Sequence, residues 1–124
     1  MSTTTSASRA GAHFVTAALA TALALGFIGW AAAAVLTAPN GMTLYTYDRD
    51  VGGKPTCSGL CAVAWPPFLA QGEKLGTGWT TVARSNGAAQ WAYRGKPVYF
   101  YAGDRAKGDA KGNGEDGVWH VVNR

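Results

Sequence analysis

The chain has 124 residues, with 11 Lys and Arg against 7 Asp and Glu and a formal net charge of +4. That length holds one small domain at most, and the basic residues after the first third stand singly from Arg49 to Arg124, interleaved with acids. The pattern describes a solvated, mildly cationic surface without any nucleic-acid motif, so no nucleic-acid partner is expected.

The first third stands apart from the rest. From Ala10 to Leu36 there is no charged residue, and His13 is the only strongly polar side chain; ahead of it, MSTTTSASR contributes Arg9 and the amino terminus as positive charges. This is an export segment. It is compatible with a signal peptide cut before Val35, where Ala32 and Ala34 supply an Ala-x-Ala site. The competing reading is a retained anchor, giving membrane association through residues 10–36, since the run can cross ~30 Å of hydrocarbon. Either way the positive charge ahead of the apolar run keeps the amino terminus inside and sends everything after Val35 outward. The destination is the periplasm, the extracellular space or the outer face of the cytoplasmic membrane. The expected division is 1–34 for the leader and 35–124 for an exported domain, which at that size buries only about 60–65% of its unfolded surface and gains from extra restraints.

Along the exported part, Val35-Leu36 and Thr43–Asp48 are predicted as two short strands around an Asn40-Gly41 turn. Alternation places Tyr45 and Tyr47 on one face and Leu44 and Thr46 on the other. Asp50 falls in the turn Asp-Val-Gly-Gly, where a carboxylate accepts backbone N–H bonds. Cys57 and Cys61 form a C-x3-C unit, CSGLC, and in an oxidising compartment the only two cysteines of the chain are expected to pair. Four residues along a strand separate Cα atoms by ~13 Å whereas a disulfide needs under ~7 Å, so the segment must curl into a turn or a helical turn. Closing so short a loop is worth roughly 2 kcal/mol in the chain-entropy account. The apolar run Ala62–Trp65 is stopped by Pro66-Pro67, which continue neither a helix nor a central strand. Trp65 is a core candidate.

Gln71–Gly78 is polar and Gly-rich and is the best candidate for a mobile loop. Strand and turn then alternate: Trp79–Ala83, the turn Arg84–Gly87, Gln90–Tyr93, the turn Arg94–Pro97, and Val98–Ala102. In the last of these Tyr99 and Tyr101 share one face and Val98 and Phe100 the other, so both sides should be covered. The polar stretch Asp104–Gly117 is expected to be a solvated loop. A calcium alternative would use Asp109, Asn113 and Gly114, but Lys111 stands at a ligand position and His120 where a bidentate Glu belongs. Val118–Val122, containing Trp119, closes the chain as a strand. The expected class is mainly β, a small antiparallel domain in meander form, sandwich- or barrel-like.

Part of this pattern occurs twice. Gly41, Leu44, Tyr45, Tyr47, Asp50 and Trp65 are matched 54 residues later by Gly95, Val98, Tyr99, Tyr101, Asp104 and Trp119. The pseudo-repeats run from about 41–67 and 95–121, and only the first carries cysteines. Repetition of Tyr-x-Tyr-x-x-Asp without the cysteines favours an architectural role for these tyrosines, acids and tryptophans. No nucleophile, base and orienter occur together: Ser58 and Ser85 lie outside any nucleophile-elbow context, and His120 has no evident Asp orienter. No catalytic residue, cofactor or metal is therefore expected. The alternative is thiol redox or copper chemistry at Cys57, Cys61 and His120, since thiolates with imidazole suit copper.

The chain resembles a bacterial family of exported, often lipid-anchored proteins, the secreted repeat of unknown function, with a Yx(F/W/Y)xxD motif. The motif stands here as Tyr45-Thr46-Tyr47-Asp48-Arg49-Asp50, and the resemblance continues through CSGLCAVAWPP, RSNGAAQWAYRGKPVYFYAGD and GDAKGNGEDGVWHVV. It implies an extracytoplasmic β-rich domain built from repeats and no established reaction. No cysteine lies near the possible cleavage site, so the residue needed for lipid anchoring is missing. The expectation is an exported cell-envelope protein acting as a structural or binding module toward an envelope protein or a small ligand.

Overall fold

A computed structural model describes residues 34–124; the leader, whether cut or retained as an anchor, lies outside the described residues. Its elements are β1 (Tyr45–Tyr47), α1 (Leu60–Ala64), β2 (Trp79–Ala83), β3 (Ala89–Tyr93), β4 (Lys96–Pro97), a 3₁₀ turn (Glu115–Gly117) and β5 (Trp119–Val121). They form a two-stranded antiparallel sheet, β1–β5, and a three-stranded antiparallel sheet, β2–β3–β4. The domain is mainly β as expected; among the described residues α1 is the one α-helix and no barrel closes.

Single-residue bridges connect the two sheets. Tyr45 pairs with Tyr99, Tyr99 with Pro67, and Leu69 with Gln90. Tyr45 and Tyr99 exchange both backbone N–H···O bonds at 2.9 Å. The strand expected over Val98–Ala102 is thus reduced to a bridge at Tyr99, preceded by β4. Its neighbour on one side is Pro66-Pro67, and neither proline has an N–H to donate. The pairing there consists of Phe100 N–H to the Pro66 carbonyl, 2.7 Å, and Phe68 N–H to the Val98 carbonyl, 3.1 Å.

The turn between β3 and β4 is also tighter than expected. Tyr93 pairs with Lys96, so only Arg94 and Gly95 form the corner, with φ of 50° and 85°. Positive φ at both corner residues is the type I′ geometry, whose twist matches that of the flanking strands. Lys96 and Pro97 belong to β4, not to the turn. Gln71–Gly78, expected to be mobile, carries specific ties. The Glu73 Oε1 accepts from the Gln71 N–H at 2.7 Å and from the Trp91 indole at 2.9 Å, and these bonds lower the Glu73 pKa.

Alternation sends successive side chains to two apolar clusters. Leu36, Leu44, Phe68, Tyr93 and Val98 form one, and Tyr45, Cys57, Trp65, Tyr99 and Trp119 the other. Adjacent residues divide between them: Leu44 from Tyr45, and Val98 from Tyr99, all four being 0% exposed. The Tyr45 and Tyr99 segments are therefore covered on both sides, and that double burial positions everything described next.

Candidate functional site

The antiparallel pairing of Tyr45 with Tyr99 makes the repeats exchange partners. Because the two segments run in opposite directions, Asp50 is carried back alongside residues that precede Tyr99, and Asp104 alongside those that precede Tyr45. The Tyr99 hydroxyl donates to Asp50 Oδ2 at 2.8 Å, and the Tyr45 hydroxyl donates to Asp104 Oδ2 at 2.6 Å. The remaining carboxylate oxygens secure the loops that follow. Asp50 Oδ1 accepts the Thr56 N–H at 2.7 Å and its hydroxyl at 2.8 Å; Asp104 Oδ1 accepts the Lys111 N–H at 2.9 Å. Gly112 N–H in turn donates to the Tyr45 hydroxyl at 3.2 Å. Hydrogen bonds to an ionised acceptor contribute about 1.5–3 kcal/mol each. Burial first, and then the adjacent carboxylate, pushes the Tyr45 and Tyr99 hydroxyls well above the ordinary phenol range.

The rings repeat the exchange. Tyr47, Trp119, Trp65 and Tyr101 stack in that order with centroid separations of 4.1, 3.9 and 4.3 Å, the two indoles tilted by only 4°. The second tyrosine of each repeat thus lies on the tryptophan of the other. Tyr45 meets Trp65 edge-on at 5.3 Å and Tyr99 meets Trp119 edge-on at 5.2 Å. Each such pair adds roughly 0.5–1.5 kcal/mol beyond its burial. The backbone of Gly112 abuts this stack: a Cβ there would stand 2.6 Å from the Trp65 ring, so only glycine fits without displacement.

Behind Trp65 the segment CSGLC curls as the distance constraint requires. The Cys57–Cys61 disulfide closes with Cα atoms 5.3 Å apart, and α1 starts within it. Cys57 is buried against the aromatic cluster while Cys61 is half-buried. Leu60 and Val63 point outward from α1 and are exposed. Arg84, expected only as a turn residue, keeps that turn through its carbonyl, 2.9 Å from Gly87 N, but its side chain runs inward. Its guanidinium donates to the Cys57 carbonyl at 2.8 Å and to Gln90 Oε1 at 2.7 Å. Nothing in the local sequence distinguishes this arginine from a solvated one.

In the second repeat the corresponding place is taken by the polar loop. Asp109 Oδ2 accepts the Arg105 and Ala106 N–H groups at 2.9 and 3.0 Å, with the Lys111 ammonium 3.8 Å away; the two backbone donors chiefly hold its carboxyl below the usual range. Asn113 Oδ1 accepts the Val121 N–H at 3.1 Å. Asp109 Oδ2 and Asn113 Oδ1 are thus engaged by the chain itself. Among the described residues no three His, Cys, Asp or Glu side chains converge as a metal site would require.

His120 does have an acid beside it, contrary to expectation: its Nε2 lies 2.8 Å from Asp48 Oδ2. Asp48 directly follows β1 and His120 lies on its partner strand β5, a closeness beyond what local spacing reveals. Trp119 and Val121 turn toward the cluster that contains Cys57, so alternation along β5 turns His120 to the opposite face, where it borders a cleft with Arg94 and Lys96. The structure therefore brings the motif tyrosines, acids and tryptophans together with Cys57, and separates His120 from them.

No curated protein and no solved structure matches the chain. The family model described as secreted repeat of unknown function matches it over residues 33–68 and again over 80–123, on either side of the Gln71–Gly78 connection. With both halves of the interlocked core matched, the chain belongs to the family of secreted repeats of unknown function.

Proposed function

We propose that the exported domain is a non-catalytic module of the cell envelope, a rigid carrier that presents its surface to an envelope protein or a small ligand. The observation that carries this is the reciprocal exchange of Tyr45 to Asp104 and Tyr99 to Asp50. Both motif acids are engaged by a phenol of the other repeat and by a backbone N–H, which leaves them as braces rather than as a free acid and base. The same comparison supports a bracing role for Cys57–Cys61, because the second repeat places Trp119 without any cysteine. The alternative, thiol redox or copper handling by Cys57, Cys61 and His120, has the half-buried Cys61 in its favour. It also requires the His120 ring, which β5 turns to the other face.

A Cys57→Ser, Cys61→Ser variant should stay folded and lose roughly 2 kcal/mol in chemical denaturation. The reduced wild-type protein, titrated with copper(I) against a chelating competitor, should show no stoichiometric uptake. One tightly held copper per chain, released by His120→Ala, would instead establish the copper alternative.

A further inference from the structure

Outside the interlocked core, Arg94, Lys96 and His120 border one cleft of about 450 Å³ between the outer face of β1–β5 and the β3–β4 hairpin. We propose that this cleft is an oxyanion site that takes the phosphate or carboxylate group of a small ligand. This rests on the binding-module function proposed above and names the chemistry of its ligand.

Charge is the first ground. Among the described residues the one Lys or Arg in an ion pair is Lys111, with Asp109, while the His120 ring lies against Asp48. The cleft therefore contains two permanent cations, Arg94 and Lys96, with no carboxylate partner. Its one acid, Asp48, is already bonded to His120 at 2.8 Å. The sequence scatters these groups over Asp48, Arg94, Lys96 and His120, and only strand pairing collects them.

Backbone strain is the second and independent ground. Arg94 has φ of 50° at the first corner of the type I′ turn, a conformation for which Asn or Gly is the low-cost choice. A bulky cationic side chain held there is the kind of outlier that accompanies a functional constraint. The backbone of Arg94 is tied down and its guanidinium lies on an aromatic face. Arg94 N–H donates to the Gly78 carbonyl at 2.7 Å, and Cζ lies 5.0 Å from the centre of the Tyr93 ring. A planar fork restrained on an aromatic face loses little freedom on binding an oxyanion with two N–H groups. Lys96, two residues on, adds an untethered point charge, and the cleft volume suits a small ligand.

The test uses the chain as recovered from cells that express and export it. Backbone amide shifts are followed during titration with inorganic phosphate and with citrate, at constant ionic strength, with chloride as the control. Saturable shifts at Arg94, Lys96 and His120 are expected with the oxyanions and not with chloride. Arg94→Asn should weaken binding by at least about tenfold while raising the Tm, because Asn suits the positive φ; folding is thereby separated from binding. Lys96→Gln should weaken it less. Linear shifts shared with chloride, or affinity unchanged in Arg94→Asn, would overturn the proposal. So would binding only to phosphatidylglycerol vesicles and to neither free anion, which would assign the oxyanion to a lipid headgroup. None of these results bears on copper uptake or turnover, so failure here is distinguishable from failure of the non-catalytic function.

Discussion

The two repeats build the same aromatic half-core and then close it differently. Behind Trp65 the chain is closed covalently by Cys57–Cys61 and braced by Arg84 on the Cys57 carbonyl. Behind Trp119 it is closed by hydrogen bonds alone, donated by backbone N–H groups to Asp109, Asn113 and Asp104. What both require is a restrained segment that presents an indole to the shared stack. The two closures also differ in burial: Asp104 is 8% exposed, while Asp50 is half-buried. The more deeply buried acid thus lies in the repeat that has no disulfide.

The largest test addresses what the repeats share. Trp119→Ala and Trp65→Ala should each cost about 3–5 kcal/mol in urea denaturation, a large part of the stability of so small a domain. Because each indole stacks on the other and on the other repeat's tyrosine, the two losses should be alike and less than additive in the double variant. Clearly unequal losses would mean that one repeat folds on its own and the other docks onto it.

The acids sharpen the difference. Asp104→Ala leaves the Tyr45 hydroxyl and the Lys111 N–H without their acceptor in a buried place, at about 2–3 kcal/mol. Asp50→Ala should cost less, roughly 1–2 kcal/mol, since the exposed Thr56 can turn to water and only the buried Tyr99 hydroxyl loses its acceptor. Equal costs would show that burial does not distinguish the two exchanges.

The smallest effect is read by alkaline titration. Tyr45 and Tyr99 have folded pKa values raised above the ordinary phenol value of about 10. In the unfolded chain these phenols lose their protons near that value while the folded domain retains them. Their contribution to stability is therefore full below pH ~10 and declines as pH rises toward the folded values. Phenolate absorbance should show two tyrosines, Tyr45 and Tyr99, that ionise only as the circular dichroism is lost. All five tyrosines ionising together near pH 10 with the fold intact would contradict the exchange.

The family is one of secreted proteins, so the domain is exported, and that much was legible in the uncharged run Ala10–Leu36 ahead of an aromatic, cysteine-bearing domain. Strands over Trp79–Ala83 and Gln90–Tyr93, the second of which starts one residue earlier at Ala89, and the turn after Ala83 were equally legible, because alternation and the turn residues Ser85-Asn86-Gly87 act over a few positions. So were the curl of CSGLC and the mainly β class. The two-residue corner at Arg94-Gly95 was not, since arginine is a poor signal for positive φ. Nor was the loss of most of the strand after β4, which depends on having two prolines as a neighbour.

By itself the amino-acid order determined which residues recur, at what spacing, and which faces they share. It could not say that Tyr45 would pair with Tyr99 in opposite directions. That pairing, set by tertiary packing, sends each tyrosine to the other repeat's aspartate and lays Trp65 on Trp119. Tertiary packing also directs Arg84 inward, to Gln90 and the Cys57 carbonyl, and brings Asp48, Arg94, Lys96 and His120 around one cleft. The physical reason is range: alternation and turn chemistry are local, whereas a hydrogen bond or a ring stack between residues 54 apart exists only after the chain has chosen its partners.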